Sequence, residues 1–441
     1  MNLLKSKYDN SHPSKRNTDR KRWAFTAMLL IGILVVGSTS CKKNDDVVTA
    51  AGEEAESAWL QAYTSETPTG IIRYLSVNET NPTNTDISQS VEIGLNSDVY
   101  SYGEHPYTWS GDASTMTKWE VNKNTLEITP IGILSFASTA LSTLEYVSEP
   151  IFLSETQGYF TGLKEGVIIE FNPSTMAIVK TFEVNPLPDS DILTSWYSEW
   201  KKYVSDGKLF LPITFDVPSS CCEYLAPNGG GAMVAVFDPE TGTINYLQDK
   251  RLRSGSTSFL VDNAGEMFVF PNRRQFFAEP YFNVDISSIP RHSSLLKFNS
   301  NGNFDVDYEF DFEEVLGEVT FGTAPTFKFD NQIVLTYLDS TFQLSTSFEN
   351  RWGSVYGEGA SFQYKTVLID MDSKEAVTFT VLDKYHGVEM LANIDNESYF
   401  VAYYDIGSKA NSDILVQKGA TNFMVVTEHE GGNFTYISKL W

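Results

Sequence analysis

Gly166-Val-Ile-Ile-Glu-Phe171, then Asn172-Pro173-Ser174-Thr175, then Met176-Ala-Ile-Val-Lys-Thr-Phe-Glu-Val184 is the stretch that decides the fold. Two runs of β-branched and aromatic residues flank four polar turn residues, the pattern of a β-hairpin. The turn has a mechanism. An Asn or Asp side chain caps its own backbone, Pro presets φ, and a following Gly supplies positive φ where one is present.

The same unit recurs along the chain. Met233-Val-Ala-Val-Phe237 turns at Asp238-Pro239-Glu240-Thr241-Gly242 into Thr243-Ile-Asn-Tyr-Leu247. Leu295-Leu-Lys-Phe298 turns at Asn299-Ser300-Asn301-Gly302 into Asn303-Phe-Asp-Val306. Weaker copies turn at Asn122-Lys123-Asn124, at Met371-Asp372-Ser373-Lys374 and at Glu430-Gly431-Gly432, and Gly70 to Asn78 reads as the first. Turn centres stand roughly 45 to 70 residues apart, the size of one four-stranded blade with variable loops. The expected fold is therefore all-β, a single β-propeller of seven four-stranded blades over residues 58–441. A β-sandwich spaces its strands similarly but does not require one hairpin seven times. Only Asp191–Val204, through the spacing of Trp196, Trp200 and Tyr203, suggests a short helix.

Residues 1–40 read differently. Seven basic residues against two acids occupy positions 1–22, Trp23–Val36 is almost wholly apolar, and Gly37-Ser38-Thr39-Ser40 leads to Cys41. That is a secretory signal peptide, too short in its apolar run to span a bilayer comfortably. A cysteine directly after small residues resembles a lipobox, in which the thiol takes a diacylglycerol, although Ser38 stands where Leu is usual. The chain is read as a lipoprotein with a lipid-bearing Cys41, palmitate among its acyl groups, and a flexible tether over 41–57. Two or three acyl chains give stable anchoring. Lys42-Lys43-Asn44-Asp45-Asp46 looks like the tethers that carry such proteins to the outer membrane and the cell surface.

The formal charge of −25 includes about +5 from the leader, so the mature chain is near −30. A surface this acidic argues against nucleic acid and against electrostatic adsorption to anionic lipid. After Cys41 only Cys221 and Cys222 remain, so no long-range disulfide frames the fold. As neighbours they can close only a strained eight-membered vicinal ring, or stay thiols. Isolated histidines give no zinc spacing, and neither a cofactor nor a metal is expected.

Glu149 to Val184, with Pro150-Ile-Phe-Leu-Ser154, Gly158-Tyr-Phe160 and the hairpin quoted above, resembles a blade of the siderophore-associated lipoprotein β-propellers. These include myxochelin-type iron-transport and xenosiderophore-capturing surface lipoproteins. Asp206-Gly207-Lys208-Leu-Phe-Leu-Pro212, followed by Ala232–Asp238, is similar to their next blade. The resemblance implies binding of a ferric siderophore and delivery to a TonB-dependent receptor, and it carries over no individual binding residue. Propeller enzymes, such as lactonases or metal- or quinone-dependent oxidoreductases, and protein–protein scaffolds stay open as alternatives.

An anionic, aromatic-rimmed iron complex needs cationic and aromatic side chains for charge, stacking and cation–π contact. Basic residues are scarce, so clusters of them with aromatics are the candidates. One is Arg273, Arg274 and Tyr281. A second is Arg351, Trp352 and Tyr356. Trp196 and Trp200, with Lys201 and Lys202, form a third. Replacing Cys41 by Ser removes the acylated thiol. The full chain then stays in the aqueous phase on detergent partitioning, whereas the native chain enters the detergent phase and carries acyl mass on Cys41.

Overall fold

The computed structural model describes residues 55–441 except 68–69, 80–89, 96, 111–112, 144–149, 164, 186–194, 199–202, 217–231, 252–256, 263, 272–293, 300–301, 319–320, 328–330, 339–363, 379–386, 396, 404–410, 418–422 and 431. Blade 1 combines both ends of this region. It holds β1 (Trp59–Thr67), β2 (Gly70–Asn78) and β3 (Val91–Ile93), with the last strand, β29 (Gly432–Lys439), on the free side of β1. Blade 2 is β4 (Ser97–Tyr102), β5 (His105–Ser110), β6 (Thr115–Val121) and β7 (Ile128–Ser135). Blade 3 is β8 (Ile151–Ser154), β9 (Gln157–Gly162), β10 (Val167–Asn172) and β11 (Ala177–Glu183). Blade 4 has β12 (Ser195–Ser198), β13 (Tyr203–Ser205), β14 (Lys208–Asp216), β15 (Ala232–Asp238) and β16 (Thr243–Asp249).

Blade 5 is β17 (Thr257–Val261), β18 (Met267–Pro271), β19 (Ser294–Asn299) and β20 (Asn303–Asp311). Blade 6 is β21 (Phe321–Phe327), β22 (Gln332–Leu338), β23 (Tyr364–Asp370) and β24 (Ala376–Thr378). Blade 7 is β25 (Gly387–Ile394), β26 (Glu397–Tyr403), β27 (Asn411–Gln417) and β28 (Phe423–Glu430). Each sheet is an antiparallel meander, and the seven stand in a ring as a β-propeller. The first strands lie toward the centre, where β17 meets β21 and β25 meets β29. Fourth strands form the rim and carry the exposed apolar residues Ile133, Val179, Val306, Val377 and Met424.

The blades cohere because their middle strands are apolar on both faces. On β10, Val167, Ile169 and Phe171 pack against Trp109 and Met116 of blade 2, while Ile168 joins Leu209 and Phe237 of blade 4. Equivalent layers join blades 4 and 5, 5 and 6, 7 and 1, and 1 and 2. Period-two alternation sends consecutive residues to opposite neighbours, so one strand builds two cores.

The hairpins between third and fourth strands match the expected turn. Asn122, Asn172, Asp238 and Asp370 each accept, through Oδ1, the backbone N–H groups two and three residues ahead at 2.8–3.2 Å. The N–H and hydroxyl of Ser373 hold the Asp370 carboxyl below the usual carboxylate range. Four residues after each cap the backbone becomes left-handed, at Leu126 (φ 57°), Met176 (φ 51°), Gly242 (φ 70°) and Lys374 (φ 57°). Glycine fills only one of these positions. At Leu126 and Lys374 a closing hydrogen bond holds the conformation, from Leu126 N–H to the Asn122 carbonyl at 2.7 Å and from Lys374 N–H to the Asp370 carbonyl at 2.9 Å. In blade 5 Gly302 (φ 84°) closes a shorter turn on Asn299.

Three expectations need revision. The segment at Glu430–Gly432 is no hairpin, because β28 belongs to blade 7 and β29 to blade 1. The helix expected within Asp191–Val204 is replaced by β12 and β13, which pair with the two ends of β14. Pairing to an existing strand wins over a helical spacing of three aromatics. Conversely, Phe312–Leu316 forms α1, capped by Asp311, whose Oδ1 accepts from Glu313 N–H at 2.9 Å, and ended by left-handed Gly317.

One polar staple locks two blades at the rim. Arg251, just beyond β16, is bidentate to Asp249 at 2.8–3.2 Å. It also donates to the β20 carbonyls of Asp305, Val306 and Tyr308 at 2.7–3.0 Å. Arg251→Met leaves the buried Asp249 carboxylate without this partner and costs about 2–4 kcal/mol in urea unfolding, with Arg251→Lys in between. Gly158 lies opposite Phe171, and a Cβ there would stand 2.5 Å from the ring. Gly158→Ala therefore lowers stability by about 1–3 kcal/mol through overpacking, and Gly158→Ala with Phe171→Leu recovers part of the loss.

Candidate functional site

Antiparallel meanders divide every blade into two ends. The first-to-second and third-to-fourth strand turns leave from one end, and the second-to-third and blade-to-blade connections leave from the other. At the first end most turns are tight, as in Asn172–Met176 and Asp238–Gly242. At the second end β14 to β15 is bridged by residues 217–231, β18 to β19 by 272–293, and β22 to β23 by 339–363. These are equivalent connections of three consecutive blades. Long connections on a rigid scaffold are where binding residues concentrate.

The sequence candidates fall there. Arg273, Arg274 and Tyr281 belong to the β18–β19 connection, and Arg351, Trp352 and Tyr356 to β22–β23. Cys221 and Cys222 belong to β14–β15. All of these, together with Trp200 and Cys41, lie outside the described residues. Trp196 sits on β12 opposite Phe215, one position from where β14 ends at Asp216. The fold thus assigns all three candidate clusters and the cysteine pair to blades 4, 5 and 6, with Trp196 and the three long connections at one end. Cys41 precedes this region. The shared end was not visible in the sequence, because it depends on each connection following the second strand of its blade.

The opposite end has two grooves that the sequence did not reveal, on either side of Trp441. One, of about 600 Å³, is lined by Leu391, Ile394, Asp395, Tyr436, Lys439 and Trp441. The other, of about 390 Å³, includes Glu104, His105, Glu120, Lys123 and Glu127. Their cations are already engaged. Lys123 pairs with Glu104 at 2.9 Å and stands 5.1 Å from the Trp441 ring centre. Lys439 pairs with Asp395 and lies over Trp59. The Nδ1–H of His105 donates to the Trp119 carbonyl at 3.2 Å. Neither groove offers an anion an uncommitted lysine.

Buried ionisable groups between blades hold structure. Arg73 donates to the Ser97 carbonyl and, at 2.8 Å, to Thr435 Oγ1, and burial pushes its pKa down. The Tyr159 and Tyr308 phenols are pushed up to about 12 by burial, so they stay neutral near pH 7. Among the described residues, no group of three or more His, Cys, Asp or Glu converges as a metal site would. No described helix is long and apolar enough to cross a membrane.

No protein-family model matches the chain. No curated protein matches it at a significant level. Among solved structures it is similar to a periplasmic gluconolactonase from Pseudomonas aeruginosa, with TM-score 0.51, 9% identity, and coverage of 87% of this chain and 99% of that one. It is also similar to a hypothetical selenium-binding protein from Sulfolobus tokodaii, with TM-score 0.52, 11% identity, and coverage of 87% and 93%. At such identity the likeness is one of fold, and the fold is the β-propeller.

Proposed function

We propose that this chain is a lipid-anchored binder that captures a ferric siderophore, or a similar anionic nutrient complex, and passes it to a TonB-dependent receptor in the outer membrane. The observation that carries the reading is the common end of blades 4–6. Three long connections leave from it, two of them carrying arginines beside aromatic residues, in a chain whose overall charge is strongly negative. Guanidinium groups pair with oxyanions in forked geometry and stack on aromatic planes, which suits a catecholate rim. A rigid ring presenting several such loops binds with little reorganisation. The grooves around Trp441 lack this chemistry.

The test is a titration of purified residues 47–441 with a ferric tris-catecholate, read by tryptophan fluorescence, with the iron-free ligand as control. Saturable quenching is expected, and Arg273→Ala with Arg274→Ala weakens it about tenfold or more, as loss of charge-assisted hydrogen bonds requires. An absence of saturable quenching overturns the proposal. Ring-opening of an aldonolactone by the same protein would favour a propeller lactonase in its place.

A further inference from the structure

Where the chain joins the propeller decides which end of the disc faces a membrane. Ala55 N–H donates to the Lys123 carbonyl at 2.8 Å, and Trp441 Nε1–H donates to the Ala55 carbonyl at 3.2 Å. Ser57 Oγ donates to the Glu79 carbonyl, just past β2. Ala58 N–H reaches the Trp441 carbonyl at 3.3 Å, and Leu440 N–H returns to the Ala58 carbonyl at 2.8 Å. Lys123 and Glu79 both lie in third-to-fourth strand connections. The N-terminal strand is therefore fastened at the short-turn end, opposite the long connections of blades 4–6.

Thirteen residues, and so fourteen Cα–Cα steps, separate Cys41 from Ala55. A chain of that length reaches at most about 48 Å when fully extended. Strands of this length make the disc about 20–30 Å thick, and the step from β1 to the rim adds about 10 Å. Placing the long connections against the leaflet requires the tether to run across the blade and down its side, about 30–40 Å, close to full extension. The opposite orientation requires no stretch.

We infer that the tether turns the short-turn end toward the lipid leaflet and leaves the long-connection end facing the medium. The inference rests on the reading of Cys41 as the acylated residue. The charge of the leaflet-facing end fits a disc that is oriented without being adsorbed. Exposed Glu155, Glu240 and Asp372 belong to its turns, as do Glu104, Glu266 and Asp395, which pair with Lys123, Lys297 and Lys439. Anionic headgroups repel such a surface over a Debye length of about 8 Å, well within the tether's reach. Ligand then arrives from the medium at the open end, and a receptor that takes it up must reach that end from above the leaflet.

The experiment uses the full lipidated chain in neutral phosphatidylcholine vesicles with a headgroup-attached energy acceptor. In a Cys221→Ser, Cys222→Ser background, a donor dye is placed at Asn124→Cys in the β6–β7 turn or at Ser138→Cys beyond β7, both exposed and at opposite ends of blade 2. Transfer from position 124 is expected to exceed that from 138 by about twofold or more, given a height difference of about 25 Å across the strands. Equal or reversed transfer on vesicle-bound protein overturns the orientation alone. Protein that carries no acyl mass on Cys41 and does not float with the vesicles overturns the orientation together with the anchor on which it rests.

Discussion

The hydrogen-bonded ladder between the last strand and the first is the constraint on which the rest of the propeller depends. β29 pairs with β1 from Trp59 opposite Lys439 to Ser65 opposite Gly432, with one register shift at Ala62/Tyr63. This pairing supplies blade 1 with its innermost strand and closes the ring. It also brings Trp59, Tyr63, Phe434 and Ile437 against Tyr399, Val401, Ile414 and Val416 of blade 7. Eight buried side chains at about 1.5–3 kcal/mol each match or exceed the net stability of about 5–15 kcal/mol typical of a domain. An open ring would expose two such faces at once, so closure is a condition for the fold and not an ornament on it.

The repeating unit was legible because its physics is local. Val167 to Val184 shows two apolar runs and an Asn-Pro turn, and both the two-faced burial of β10 and the Asn172 cap follow from those residues. Closure was not legible. Gly431 and Gly432 look like a turn, and nothing nearby tells that the strand after them pairs with residues some 370 positions earlier. Nor was the left-handed backbone at Leu126, Met176 and Lys374, where glycine would be the local choice. A capping side chain precedes each of them, and at Leu126 and Lys374 a closing hydrogen bond adds to the constraint. The aromatics of 196–203 misled for a related reason: their spacing is helical, but the two ends of β14 take Trp196 and Tyr203 as strand partners.

For the site, the sequence offered residue types and the fold supplied their grouping. Arginines beside aromatics in an acidic chain can be picked out by inspection, as can the adjacent cysteines. That they share one end of three consecutive blades follows only from strand order. The grooves beside Trp441 were illegible because their walls come from blades 1, 2 and 7, and Trp441 itself joins them through Ala55 and Lys123. The same seam that closes the ring thus fixes where residues 55–58 join the propeller, beside Lys123 and Trp441.

Closure as a global constraint is tested most directly by hydrogen exchange on the intact protein. The amides of β1 and β29 that bond to each other should exchange together, in the slowest class, with the free energy of global unfolding. Fast exchange of β29 by local fraying, with β1 and the faces of blades 7 and 1 still protected, would contradict the account.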